Sequence, residues 1–320
     1  MRWRVLNMLD VSEFPDVLAS LGEVADVTSL PPSADVLLDR IAGFDAYLAS
    51  LHVQVTRPVL ERAARLRWIA TASTGTDHLD LPAAEERGIA VLSLKEDREF
   101  LNSITATAEL TWGLLLATVR RLPWAFAAAL EGRWARDEFR GRQLSGKTLG
   151  ILGYGRLGTM VADYGLAFRM RVLACDVLPV VPSVGVEMAS YERLLAESDV
   201  LSLHVHLTEA NRGLIDAAAL RRLKPGAVLI NTSRGGIVDE AALLEALESG
   251  RLAGSGLDVI DGEWRADLDR HPLIAYARSH QNLVISPHIG GVAVEAQRAA
   301  IERAAGKLRA CLERATITAS

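Results

Sequence analysis

The chain has 320 residues, 50% of them hydrophobic and 23% charged, enough to bury a large core and long for one minimal domain, so two domains are expected. Lys plus Arg number 35 against 40 for Asp plus Glu, a net charge of -5, which excludes the basic footprint of a phosphate-tracking nucleic-acid binder. The longest uncharged apolar stretch, around Leu110 to Val119, is too short to cross a bilayer, and the start MRWRVLNMLD has charges where a signal core would lie. Two cysteines, Cys175 and Cys311, are too few for a disulfide scaffold or a zinc cluster. A soluble protein of the reducing cytoplasm is expected, without nucleic-acid or membrane partners.

Short β-rich runs at Arg4 to Met8, Ala46 to Ser50, Trp68 to Ala72 and Ile89 to Leu92 alternate with helix-like stretches. That alternation predicts parallel βαβ units. The segment Ile104 to Arg121, ITATAELTWGLLLATVRR, is apolar nearly all round, which predicts a buried helix between two bodies, with the domain boundary just before it. Six further strand candidates follow: Thr148 to Leu152, Arg171 to Cys175, Val200 to His204, Ala227 to Asn231, Gly254 to Asp258 and Leu283 to Ser286. They predict a six-stranded doubly wound sheet within residues 101–290. The helical stretch Val292 to Arg314 is expected to return to the first domain, which would then comprise 1–100 plus 291–320.

The strand candidate KTLGIL runs into Gly153-Tyr154-Gly155-Arg156-Leu157-Gly158, and a helical pattern follows. In this context Gly153 permits a tight turn, Gly155 lets backbone approach a pyrophosphate, and Gly158 lets the helix pack close to its strand. The helix N-terminus offers free N–H groups and a positive dipole end to the anion. The next strand ends in Asp176, whose carboxylate can accept from the ribose hydroxyls of a dinucleotide. Asp176 would repel a 2′-phosphate, and Val177-Leu178-Pro179-Val180 offers no cation to neutralise one, so the cofactor predicted is NAD, not NADP.

Three further segments complete a pattern: Asn231-Thr232-Ser233-Arg234-Gly235-Gly236-Ile237-Val238-Asp239; Gly256-Leu257-Asp258-Val259 leading to Glu263; and Ser286-Pro287-His288-Ile289-Gly290-Gly291. With the glycine turn and Asp176 in the same order, the chain resembles the NAD-dependent D-2-hydroxyacid dehydrogenases over nearly its full length. The resemblance implies an α/β protein of two doubly wound domains, a Rossmann NAD-binding domain and a smaller flavodoxin-like substrate domain, with a cleft between them. It implies hydride transfer between NAD(H) and a small 2-hydroxy or 2-keto acid. Arg234 matches the arginine that pairs with the substrate carboxylate and polarises the carbonyl. His288 matches the general acid/base, and Glu263 the carboxylate that orients its imidazole and favours the protonated form.

By the same resemblance, Ser73, Thr74 and Gly75 match a loop whose backbone N–H groups bind the substrate carboxylate. Arg156 and Leu157 would present backbone N–H groups to the pyrophosphate, and Val205 and Thr208 would line the nicotinamide ribose. Thr232, Ser233 and Arg234 would flank the nicotinamide, Asp258 would accept from its carboxamide, and His288 and Gly290 would complete that side. Where the family commonly has proline this chain has His206 and Trp264, and Thr107-Ala108-Glu109-Leu110 replaces a His-bearing helix signature. His204 and His206 share one face of a strand read this way, but no third ligand is in view, so no metal is predicted.

Two other functions share the fold. A formate dehydrogenase would require glutamine as the histidine's partner, and Glu263 stands there. A nucleotide-sensing corepressor or scaffold would need a peptide-binding surface that the sequence does not identify. The apolar region 104–134, with Trp112, Trp124 and Trp134, is expected to build a homodimer, the alternative being an inter-domain core.

Overall fold

In strand β1 (Trp3–Asn7) alternate side chains leave on opposite faces, and both faces are apolar: Val5 and Leu6 are each fully buried. The same holds for β3 (Ala46–Ala49), through Tyr47 and Leu48, and for β4 (Trp68–Thr71), through Ile69 and Ala70. Strands apolar on both faces belong in a parallel sheet covered by helices on each side. The structure, a computed structural model describing residues 2–319, has that arrangement. With β2 (Ala25–Ser29) and β5 (Ala90–Leu92) the strands form a parallel five-stranded sheet of order β2-β1-β3-β4-β5, the flavodoxin-like winding. Leu6, Tyr47 and Ile69 pack with Leu37, Ile41 and Leu60 on one face. On the other, Val5, Leu48 and Ala70 pack with Ala305, Leu308 and Leu312 of the C-terminal helix Val294–Ala319. This unit comprises Met1–Ile104 with Ala293–Ser320.

The second unit, Thr105–Val292, is built around a parallel seven-stranded sheet. Its strands are β6 (Thr148–Leu152), β7 (Arg171–Cys175), β8 (Val186–Met188), β9 (Val200–Leu203), β10 (Ala227–Asn231), β11 (Leu252–Leu257) and β12 (Leu283–Ile285), in the order β12-β11-β10-β9-β6-β7-β8. The winding reverses between β6 and β9, so their carboxyl ends flank the crevice where doubly wound sheets take a dinucleotide. Leu149, Ile151, Val228 and Ile230 face a core completed by Trp112 and Leu115. Leu201, Leu203 and Leu229 face the opposite one, with Leu220, Leu243 and Leu273.

Two strands escape the hydrophobic pattern. Both β2 and β8 lie at sheet edges, where a strand needs little burial to hold its place, and neither ADVTS nor VEM carries an apolar run. The second sheet therefore has seven strands where six were expected. The helix expected over Ile104 to Arg121 spans Ala106–Arg120 and buries Trp112, Leu114, Leu115 and Val119 within its own unit. Arg121 then turns left-handed, with φ 53°, and a second helix, Leu122–Leu130, begins with proline near its start. Among the described residues no single helix is long and apolar enough to cross a membrane.

Candidate active site

Strands β10, β11 and β12 are parallel neighbours in register, with Asn231 opposite Leu257 and Leu257 opposite Ile285. Loops leaving their carboxyl ends therefore emerge side by side at strand spacing, about 5 Å apart. Arg234 lies three positions past Asn231, His288 three past Ile285, and Asp258 and Glu263 follow Leu257. The sheet itself gathers residues that are far apart along the chain.

The glycine turn leaves β6 at the reversal point. Gly153 has φ +92°, and a Cβ there would lie 2.5 Å from the carbonyl oxygen of His204. A Cβ on Gly158 would lie 2.0 Å from the carbonyl oxygen of Gly153, so only glycine lets the helix Arg156–Ala167 start this close to its strand. A Cβ on Gly155 would meet nothing within 4 Å, which is the open side an approaching pyrophosphate needs. Asp176, just past β7, accepts from the backbone N–H groups of Tyr154 (2.7 Å) and Leu178 (2.9 Å). Each oxygen thus uses one acceptor position and keeps another for a ribose hydroxyl. Burial pulls the Arg156 guanidinium below its ordinary value, a penalty that a bound pyrophosphate would offset. The turn, its open glycine and its tethered acid fit a dinucleotide.

Beyond β9 the chain leaves the sheet at Leu203, so His204 and His206 lie in a loop and share no strand face, a correction to the sequence reading. The imidazole Nε2 of His204 lies 2.8 Å from the Ser202 hydroxyl, and burial pushes the ring down to about 3. His206 is exposed. Val205 packs toward Gly153, and Thr208 caps a short 3-10 turn through Asn211. Thr232 is buried, its hydroxyl 2.8 Å from that of Thr111, and Ser233 donates to the carbonyl of Leu203. Arg234 is half-buried and reaches the Ser233 carbonyl at 2.7 Å, while Asn231 donates to the Arg234 carbonyl at 2.9 Å.

The histidine loop is assembled differently. Asp258 is 1% exposed, and its carboxylate accepts from the Ser286 hydroxyl (2.6 Å), the Ile289 N–H (2.9 Å) and the Gly290 N–H (2.8 Å). Burial pushes its carboxyl up, and these three donors pull the other way. Its carbonyl accepts from the His288 N–H at 2.9 Å, and the Thr107 hydroxyl donates to the Gly290 carbonyl at 2.9 Å. So held, His288 adopts a left-handed φ of 54°, which a residue with a Cβ adopts at a cost of order 1 kcal/mol. Its Nδ1 lies 2.6 Å from Glu263 Oε1, and the Trp264 ring stacks on its face with centroids 5.9 Å apart and planes 28° apart. The imidazole is fixed at one nitrogen and along one face. A cavity of about 510 Å³, walled by Trp264, Leu268, Ile274 and Ile285, opens beside Glu263 and His288.

The structure thus places Glu263 directly on His288 and gives Asp258 the work of holding the His288 loop. Sequence reading missed Thr107 and Ser286 as supports of that loop. A threonine and a serine carry no signal until the fold brings them to it. In the first unit Ser73, Thr74 and Gly75 follow β4, and the Ser73 hydroxyl donates to the Gly75 carbonyl at 2.7 Å, closing a tight turn. His78 is buried, and its carbonyl accepts from Val55.

Fold and loops together define a dinucleotide-binding α/β protein with a histidine–carboxylate pair at the carboxyl edge of its larger sheet. Residues 112–290 match the NAD binding domain of the D-isomer specific 2-hydroxyacid dehydrogenases. The chain is 37% identical to a hydroxypyruvate reductase of Thermotoga maritima over 276 residues, 86% of this chain and 87% of that protein. It is equally identical, over 290 residues, to a D-3-phosphoglycerate dehydrogenase of Methanocaldococcus jannaschii, where the match spans 89% of this chain but 52% of that longer protein. Among solved structures, the D-lactate dehydrogenase of Aquifex aeolicus, complexed with NAD and lactic acid, superposes with a TM-score of 0.84 at 28% identity, covering 97% of this chain and 95% of that one. The chain belongs to the D-isomer specific 2-hydroxyacid dehydrogenase family, and its second unit is that family's NAD-binding domain.

Proposed function

We propose that the chain reduces a small 2-keto acid to the 2-hydroxy acid, with His288 as proton donor, Glu263 as the group that orients it, and Arg234 as the partner of the substrate carboxylate and carbonyl. The observation that carries this reading is the 2.6 Å contact from His288 Nδ1 to Glu263 Oε1. Because Glu263 takes up Nδ1, the proton available for transfer is the one on Nε2. Glu263 also meets the positive charge that the ring carries before donation. An anionic partner suits proton transfer, whereas formate oxidation needs none, which favours this reading over a formate dehydrogenase. Arg234 can meet a planar carboxylate with two parallel N–H donors and draw electron density from the neighbouring carbonyl. Bound NADH would supply the hydride.

Several assignments accompany this reading. Gly153, Gly155, Arg156, Leu157 and Gly158 hold the pyrophosphate; Asp176 selects NAD by repelling a 2′-phosphate. Val205, Thr208, Thr232, Ser233 and Gly290 line the nicotinamide end. A homodimer forms through the region 104–134, where Phe126 (63% exposed), Leu130 (91%) and Trp134 (86%) present apolar surface. Sedimentation as a single 34.6 kDa species would dispose of the dimer.

The reaction is tested by following NADH consumption with glyoxylate, hydroxypyruvate, pyruvate and bulkier 2-keto acids. Turnover of at least one is expected. Silence across the panel with NADH still bound would favour a nucleotide-sensing scaffold instead.

A further inference from the structure

Glu263 stands on a loop, and a loop residue places a carboxylate only as well as its backbone is held. Two positions before it, Asp261 is gripped from three directions. Gly235, the residue after Arg234, lies so close that a Cβ there would be 2.1 Å from the Ile260 carbonyl carbon and 2.2 Å from the Asp261 nitrogen. Glu240, at the start of the helix Glu240–Glu248, accepts the Asp261 N–H through Oε1 at 2.8 Å. His271 Nε2 lies 3.2 Å from the Asp261 carbonyl and 3.1 Å from Glu240 Oε2. The Nδ1 of His271 accepts from the Leu273 N–H at 3.3 Å, which leaves the ring proton on Nε2 to be shared between Glu240 and Asp261.

These two side chains are an unusual choice for a mere loop anchor. The His271 side chain is 5% exposed and that of Glu240 19%, and ionisable groups are rarely buried so far unless paired. Burial pushes the Glu240 carboxyl up, partly opposed by the Asp261 N–H. Asp261 itself also faces Glu240, and Arg212 meets its carboxylate at 3.7 Å. What the pair fixes is both backbone polar groups of Asp261, donor and acceptor, on the rigid floor made by Gly235.

We infer that Glu240 and His271 are positioning residues for the Glu263–His288 pair, clamping the Asp261 backbone so that Glu263 reaches His288 Nδ1. The inference rests on the reading of His288 as proton donor. Neither residue touches the imidazole; both act through the short stretch from Asp261 to Glu263. By pinning that stretch to Gly235, the clamp also ties the loop of Glu263 to the strand end that carries Arg234.

The test combines a spectroscopic and a kinetic measurement on the full-length protein. A short imidazole–carboxylate contact gives a far-downfield imidazole N–H proton resonance, assigned to His288 by its loss in H288Q. E263Q should remove or displace this line. E240A and H271A should broaden it or move it upfield, and E240Q, which retains an acceptor for the Asp261 N–H, should restore it. With whichever 2-keto acid the enzyme turns over, E240A should lower kcat by up to about tenfold toward alkaline pH, no further than E263Q does, with the KM for NADH unchanged. In the E263Q background E240A should lower kcat no further, because both changes break the same contact. An unmoved resonance in E240A and H271A, or losses that multiply across E240A and E263Q, would overturn the inference. If E240A does not fold, H271A carries the same comparison, alone and in the E263Q background. Should E263Q itself leave both resonance and kcat as in the wild type, the reading of the His288 pair fails first; an effect of E263Q with inert E240A and H271A overturns the clamp alone.

Discussion

The glycine turn after β6 and the histidine loop after β12 are two loops on one sheet edge, built by opposite means. The turn is shaped by side chains that are missing: at Gly153 and Gly158 a single added carbon would collide with backbone at 2.5 and 2.0 Å. The histidine loop is shaped by side chains that arrive from elsewhere. Asp258, Ser286, Thr107 and Glu263 satisfy its polar groups and hold His288 at a positive φ. A site for a common cofactor can be written locally in backbone. A site for proton transfer needs buried, mutually satisfied polar groups, and these come from several strands.

The largest effect should come from removing the keystone of the polar loop. Asp258→Ala leaves the Ser286 hydroxyl and the Ile289 and Gly290 N–H groups without their acceptor; at about 1–3 kcal/mol for the buried Gly290 N–H and less for the two part-buried donors, a melting temperature lower by roughly 5 °C or more and loss of turnover are expected. A variant with unchanged melting and activity would show that the loop is held by something else. The steric turn should break differently. Gly158→Ala is expected to destabilise by about 1–3 kcal/mol through overpacking and to weaken NADH binding about tenfold or more, both read by calorimetry. An equally stable variant with native NADH affinity would contradict the close packing of Gly158 against Gly153.

Smaller changes sharpen the contrast. Glu263→Gln keeps the shape but removes the charge, so 2-keto acid reduction should fall about tenfold toward alkaline pH and less at neutral pH, where the proton is more readily supplied. A pH–rate profile identical to the wild type would refute Glu263's part. The loop after β9, whose His204 carbonyl packs against Gly153, has its own pH signature. The neutral form of His204 is favoured by burial, down to about 3, while an unfolded imidazole titrates near pH 6.5. The unfolded state binds the extra proton, so this contribution to stability is complete above about pH 6.5 and is lost progressively as pH falls toward about 3. His204→Gln should therefore melt with a shallower dependence on pH across that window, and a slope equal to the wild type's would remove His204 from the account.

The same contrast explains what could be seen in advance. Strands with two apolar faces, such as those holding Leu6, Tyr47 and Leu229, announce a doubly wound sheet by themselves, and the glycine string announces its turn. Edge strands β2 and β8 give no such signal, because nothing in ADVTS or VEM forces burial. The apolar run hides the point at which β9 ends, at Leu203, so the sequence alone puts His204 and His206 on one strand face. Arg234, Glu263 and His288 were legible only as members of ordered motifs. The supporting role of Thr107 and Ser286 is not legible in sequence, because a hydroxyl becomes a support only once the fold places a carbonyl or carboxylate beside it.

The role of His288 is tested most directly by reacting His288→Ala with NADH and a 2-keto acid that the wild type reduces, in a single turnover, while measuring NADH binding on the same sample. A fall in rate of about two to four orders of magnitude with NADH affinity preserved is the predicted result. Wild-type rates from the alanine variant would contradict it.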